Sequence, residues 1–211
     1  MTYKNDMTMM YATHDALRRD LDDIARITSR GQDDPKSILR GAVGWQLFKT
    51  FLQVHHSAED DLLWPAMRRA LAGDSSAQAL LDAMEAEHGA IDPLLLAIDA
   101  ASADRDCGPA RLGELTDSLA SGLRAHLRHE EVDVLPLIDA AVSEEEWRSF
   151  GAETGARVGA DLQRFFPWAL EEAKPEIRSA VLGVLPPPMV QAYRDVWQPS
   201  YADLSLWTPA A

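Results

Sequence analysis

Two thirteen-residue blocks, HHSAEDDLLWPAM at His55–Met67 and HLRHEEVDVLPLI at His126–Ile138, align without a gap. The alignment pairs His55 with His126, Glu59 with Glu130, and Pro65 with Pro136. A lone histidine precedes each block: His14 stands 41 residues before His55, and His88 stands 38 before His126. Residues 8–141 therefore read as two copies of a helix pair, each carrying H…HxxxE. Short connections between long helices favour antiparallel neighbours, so a four-helix bundle follows.

The helical reading rests on composition and punctuation. Alternating β-branched runs are missing, whereas Ala, Leu, Arg, Asp and Glu dominate. Turn chemistry separates five or six segments: Thr8–Thr28, Ser37–Leu71, Ala77–Ala101, Pro109–Ala141 and Glu144–Glu172, with a short sixth opening at Pro175. Pro65 is expected to kink or end the second, Pro93 to distort the third, and Pro167 to interrupt the fifth. Ser143 followed by Glu146 fits a capping box at the start of the fifth. Pro186–Pro188 then break the chain before Met189–Trp197. The fold class is all-α: an antiparallel four-helix bundle over 1–142, and a C-terminal helical extension, 143–211, packing on it.

Apolar stripes decide which way the histidines point. Met10, His14, Leu17, Leu21 and Ile24 follow steps of three and four, as do Phe48, Leu52, His55, Glu59 and Leu62. The third row is Leu81, Met84, His88, Ile91, Leu95 and Ile98. The fourth is Leu115, Leu119, Leu123, His126, Glu130, Val134 and Leu137. Each helix thus sets a histidine in the face turned to the core, and two add a glutamate one turn on. Residues at i and i+4 have Cβ atoms about 5–6 Å apart, so each His–Glu pair converges. Two buried carboxylates need compensating charge. Four imidazoles and two carboxylates in one layer suit a pair of metal ions. His56 with Asp60, and His129 with Asp133, lie one residue off the stripes beside Lys49, Gln53, Ser118 and Gly122, and read as surface or supporting residues.

The combined pattern, H…HxxxE…H…HxxxE with a proline after each block, resembles the hemerythrin-like HHE cation-binding family over about Thr8–Ala141. The resemblance implies a four-helix bundle with a non-haem di-iron centre, two Fe ions bridged by oxo or hydroxo groups, with Mn or Zn as substitutes. By position it implies His14, His55, His88 and His126 as imidazole ligands and Glu59 and Glu130 as bridging carboxylates. Oxygen-carrying hemerythrins have a fifth histidine one turn from the third-helix ligand; here the flanking positions are Met84 and Asp92. Members without it are associated with peroxide decomposition, nitric-oxide or iron-centre protection, and iron sensing. The stretch from Ser143 on, with FFPWALEEAKPEIRS and VLPPPMVQAYRDVW, resembles extensions of actinobacterial hemerythrin-like proteins.

Charge narrows the partners. With 20 basic and 34 acidic side chains the net charge is −14, and no basic stripe exists to neutralise nucleic-acid phosphates or an anionic membrane. The single cysteine, Cys107, excludes an internal disulfide and a thiolate cluster, and sits in a segment read as a loop. No signal-like or membrane-length apolar run occurs, so a cytoplasmic protein is expected. The expected chemistry is redox handling of a small oxidant, peroxide above all, with an unidentified electron donor. Non-catalytic binding of O2 or NO, or iron sensing or storage, is the alternative. Glu87, Asp92 and Tyr11 are candidate proton donors by helical position, and a monomer or homodimer is expected.

Overall fold

The structure, a computed structural model, describes residues 3–29, 35–104, 106 and 109–208. Cys107 lies outside the described residues. Among the described residues there is no strand. The bundle is formed by α1 (Thr8–Ser29), α3 (Val43–Ala58) continued by α4 (Trp64–Ala70), α5 (Ser75–Ala103), and α6 (Pro109–His129) continued by α7 (Leu135–Ala141). A short α2 (Pro35–Gly41) packs on α5 and buries Leu39.

Polar pairs fix the directions. Thr28 meets Thr116 while His14 meets Glu131, so α1 and α6 run antiparallel. Trp45 meets Asp99 while Arg68 meets Glu85, so α3–α4 and α5 run antiparallel. The predicted stripes on α1, α5 and α6 are buried throughout, and Asp74 caps α5 by accepting from Ser76 and Ala77.

Pro65 acts differently from expectation, and Pro136, for which no break is expected, is accommodated in the same way. Pro65 and Pro136 neither end nor sharply break their helices, because a π-helical turn precedes each: Glu59–Leu63 and Glu130–Val134. A proline in an α-helix lacks its N–H and collides with the carbonyl four residues back. Here Trp64 donates to Glu59 and Leu135 to Glu130, five residues back, which widens the turn ahead of the ring. The inserted residue also advances the buried face. Leu63 is buried rather than Leu62, and Ile138 rather than Leu137. Pro93 sits within a continuous α5. The predicted second helix is instead divided at Ala42, whose backbone is extended.

Beyond the bundle, the capping box at Ser143 and Glu146 opens α8 (Glu144–Val158) as predicted. The chain breaks at Gly159, which takes a left-handed φ of 56°, and Pro167 lies inside α9 (Leu162–Leu170). Then follow α10 (Pro175–Val184), α11 (Pro187–Ala192), a third π-helical turn and α12 (Gln198–Ala202). These helices share the bundle's core: Phe51 on α3 packs against Phe165 and Trp168, with ring centroids 5.2 and 4.8 Å apart. Trp168 Nε1 donates to the buried Asp20 at 2.7 Å. The last described turn returns to α3, where the Gly44 amide donates to Leu206 at 2.7 Å. Trp207 lies so close to Gly44 that a Cβ there would stand 2.7 Å from its ring.

Candidate metal centre

All six predicted residues meet in the bundle core. His14, Glu59, His88, His126 and Glu130 are each at most 2% exposed, and His55 is 7% exposed. His14 and His55 face each other through Nε2 at 3.2 Å, and His88 and His126 do so at 3.1 Å. Glu130 reaches His14 at 3.2 Å, and Glu59 reaches His88 at 3.5 Å. Each glutamate thus approaches the lone histidine of the other half of the repeat.

The outward nitrogens are anchored just as systematically. His14 Nδ1 lies 2.9 Å from Glu131, His88 Nδ1 2.8 Å from Asp60, and His126 Nδ1 2.9 Å from Glu87. A carboxylate on Nδ1 fixes the proton there and leaves the Nε2 lone pair pointing inward. Two such lone pairs about 3 Å apart repel unless a cation or a proton lies between them. Asp60 and Glu131 occupy matching positions, each one residue after its block's glutamate, and again each serves the opposite half. Glu87 also accepts from the half-buried His129, at 2.8 Å.

His56 is a correction to the sequence reading. It is 2% exposed, with Nδ1 2.7 Å from Asp92, and its ring stacks on His88 at 3.9 Å. Its Nε2 has no hydrogen-bond partner. The hydrophilic neighbours that suggested a surface position mislead, because Gln53 stays exposed while the next turn places His56 against α5, on Asp92 and His88. A count of α3's buried positions 45, 48, 52, 56 and 59, also helically spaced, is the signal that finds it. His129, by contrast, stays partly exposed, as expected. Of the candidate proton donors, Glu87 and Asp92 hold imidazoles, while the Tyr11 hydroxyl lies 3.4 Å from that of Tyr3 and burial raises its pKa.

The electrostatics state what is missing from a purely protein core. All four carboxylate oxygens of Glu59 and Glu130 are buried without a hydrogen-bond partner. Burial, reinforced by Glu130 and Asp60, pushes the Glu59 pKa well above the carboxylate range. Glu130 is held low because His14, His55 and His126 outweigh its burial. Burial lowers His55, His56 and His126. For His14 burial is outweighed by Glu130 and Glu131, which raise it to about 9. Buried carboxylates without hydrogen-bond partners, facing imidazoles of which burial disfavours protonation at His55, His56 and His126, form a donor set for a cation. Three sets have donor atoms within 4.8 Å of one another: His14–His55–Glu130, His56–His88–His126, and Glu59–His126–Glu130.

A family model for the hemerythrin HHE cation binding domain matches residues 5–138. The chain belongs to this family. It is also similar to two BRUTUS-like zinc finger proteins of Arabidopsis thaliana, 25% identical over 188 residues and 23% over 198. Each alignment covers 83% of this chain but only 15% and 16% of those proteins, so the chain spans about a sixth of their length. No solved structure matches. In this hemerythrin HHE domain the donor set of imidazole and carboxylate fits a metal ion, with iron as the family's indicated occupant. No helix among the described residues is long and apolar enough to cross a membrane.

Proposed function

We propose that this hemerythrin HHE protein holds two iron ions and acts as a redox protein on a small oxidant, decomposing peroxide. The observation carrying this reading is the pair of three-donor sets that share no residue, His14–His55–Glu130 and His56–His88–His126, with a third set, Glu59–His126–Glu130, drawing on both. A single ion in either of these two sets leaves the other set's donors without a cation. When bound, a di-iron pair supplies the two electrons exchanged with peroxide. The chain's residues hold and insulate that chemistry. Glu131, Asp60, Glu87 and Asp92 orient the imidazoles from outside. Met10, Met84, Trp64 and Leu81 pack around one end of the layer and exclude water. Glu87 joins His126 to the partly exposed His129 and offers a hydrogen-bonded path for protons from solvent.

A second reading, reversible O2 or NO binding without turnover, is favoured by one observation. The fifth imidazole that the third helix lacks is supplied by His56 on α3. Metal analysis combined with absorption spectra under oxygen, peroxide and nitric oxide separates the two. Two irons per chain with peroxide loss supports the first; a spectrum that cycles with oxygen and leaves peroxide intact supports the second. Protein that takes up no iron overturns both.

A further inference from the structure

The outer face of α1 and α6 carries a cleft of about 720 Å³ in which three arginines meet: Arg18, Arg124 and Arg128. In a chain of net charge −14 this is an unusual concentration of positive charge. Two of the three are only lightly committed. Arg124 pairs with Asp22, which is 79% exposed, and Arg128 makes no hydrogen bond or ion pair among the described residues. Exposed pairs of the first kind contribute about 0–1 kcal/mol and are readily exchanged. The cleft's wall adds the exposed Ala125 and Val132, the latter 63% exposed. Two acids line the cleft, Glu131 and Asp133, the latter facing His129 at 3.8 Å, and Arg18 also reaches the exposed Asp15 at 3.2 Å.

Arg18 connects this cleft to the core. Its Nη2 lies 2.9 Å from Glu131 Oε1, the same oxygen that lies 2.9 Å from His14 Nδ1. Arg18 and His14 therefore share one acceptor. An anion that draws Arg18 outward leaves Glu131 to His14 alone, which strengthens that hydrogen bond and makes the imidazole a better donor.

We infer that the Arg18–Arg124–Arg128 cleft binds a phosphate-type oxyanion, and that occupancy tightens the hold of His14 on the core cation through Glu131. Guanidinium forks match phosphate geometry, and the volume lies within the roughly 300–1,000 Å³ of small-molecule sites. Free phosphate and a phosphomonoester share the chemistry; the apolar wall distinguishes them. The coupling rests on the metal-binding reading, but not on any redox activity.

The test uses metal-loaded protein, with calorimetric titration of inorganic phosphate and of adenosine 5′-monophosphate, and with the rate at which a chelator strips metal. Binding of either ligand is expected to weaken at least tenfold in Arg128→Ala, whose side chain is exposed and belongs to none of the donor sets, with metal content unchanged. Saturating ligand is expected to slow stripping several-fold in the wild type and not in Arg128→Ala. Tighter binding of the nucleotide assigns the wall to its organic part; equal binding assigns the site to free phosphate. Absence of binding at 10 mM (roughly the weakest useful oxyanion affinity), equal binding by Arg128→Ala, or unchanged stripping in the wild type overturns the inference. Each of these is read whether or not the protein consumes peroxide.

Discussion

At the scale of single residues, His56 separates what periodicity shows from what packing decides. The four stripe histidines and two glutamates are legible because a polar residue inside an apolar row has no other reason to recur at matched spacing. His56 is not, because its burial comes from packing against α5, where its ring stacks on His88 and Asp92 meets its Nδ1. If the chain holds two ions as proposed, His56→Ala is expected to lower bound metal toward one per chain, measured by elemental analysis. Asp92→Asn, which alters only the group holding Nδ1, is expected to weaken metal binding by about 10- to 100-fold. If His56→Ala binds metal as the wild type does, the imidazole is structural.

Asp20 gives a second residue-level prediction. Burial raises its pKa to about 6, although Arg19 and the Trp168 indole pull it back. The folded value exceeds the ordinary 3.8, so the associated stability is complete below about pH 4 and is lost as pH rises through about 6. That interval corresponds to roughly 3 kcal/mol. Asp20→Asn keeps an acceptor for Trp168 and removes the ionisation. Denaturant melts between pH 4 and 7 are therefore expected to show a flatter profile for the variant; parallel profiles would refute this cause.

At the scale of elements, the π-helical turns explain the main departure from the sequence reading. The sequence shows Pro65 and Pro136 clearly and predicts a kink or end at the first. It does not show that one extra residue per turn absorbs each proline, since a steady step of three and four cannot register an insertion. The slip is visible only downstream, where Leu63, Trp64 and Met67 on one side match Val134, Leu135 and Ile138 on the other. Deleting Leu62 is expected to rotate α4 by about 100° and turn Trp64 and Met67 out of the core. The loss is several kcal/mol by comparison with large-to-small core substitutions of about 2–5 kcal/mol. A thermal melt within a few degrees of wild type would exclude this role. Ser143→Ala, which removes the cap of α8, is expected to cost about 0.5–2 kcal/mol. That cap was legible because its two partners stand three residues apart.

At the scale of the whole molecule, the candidate metal layer lies inside the apolar core, so a bound cation would stabilise both together. Chelation is expected to lower the melting temperature and to make it depend on metal concentration, as for any ligand specific to the folded state. A melt indifferent to chelator would remove the cation from the fold's energetics. The C-terminal helices bear on the same core, since Trp168 packs on Phe51 and bonds to Asp20. Trp168→Ala is expected to cost about 3–5 kcal/mol, read by denaturant titration.

The crossing of partners between the repeat halves has a consequence for how such a chain arises and assembles. Every donor set that converges draws residues from both halves: His14 and His55 with Glu130, His56 with His88 and His126, Glu59 with His126 and Glu130. A helix pair produced alone owns no complete set. Before duplication, an ancestral pair of this kind could hold its cation only by meeting a copy of itself. In the present chain that meeting is intramolecular, so an ion bound to any of these sets would clasp the second half onto the first.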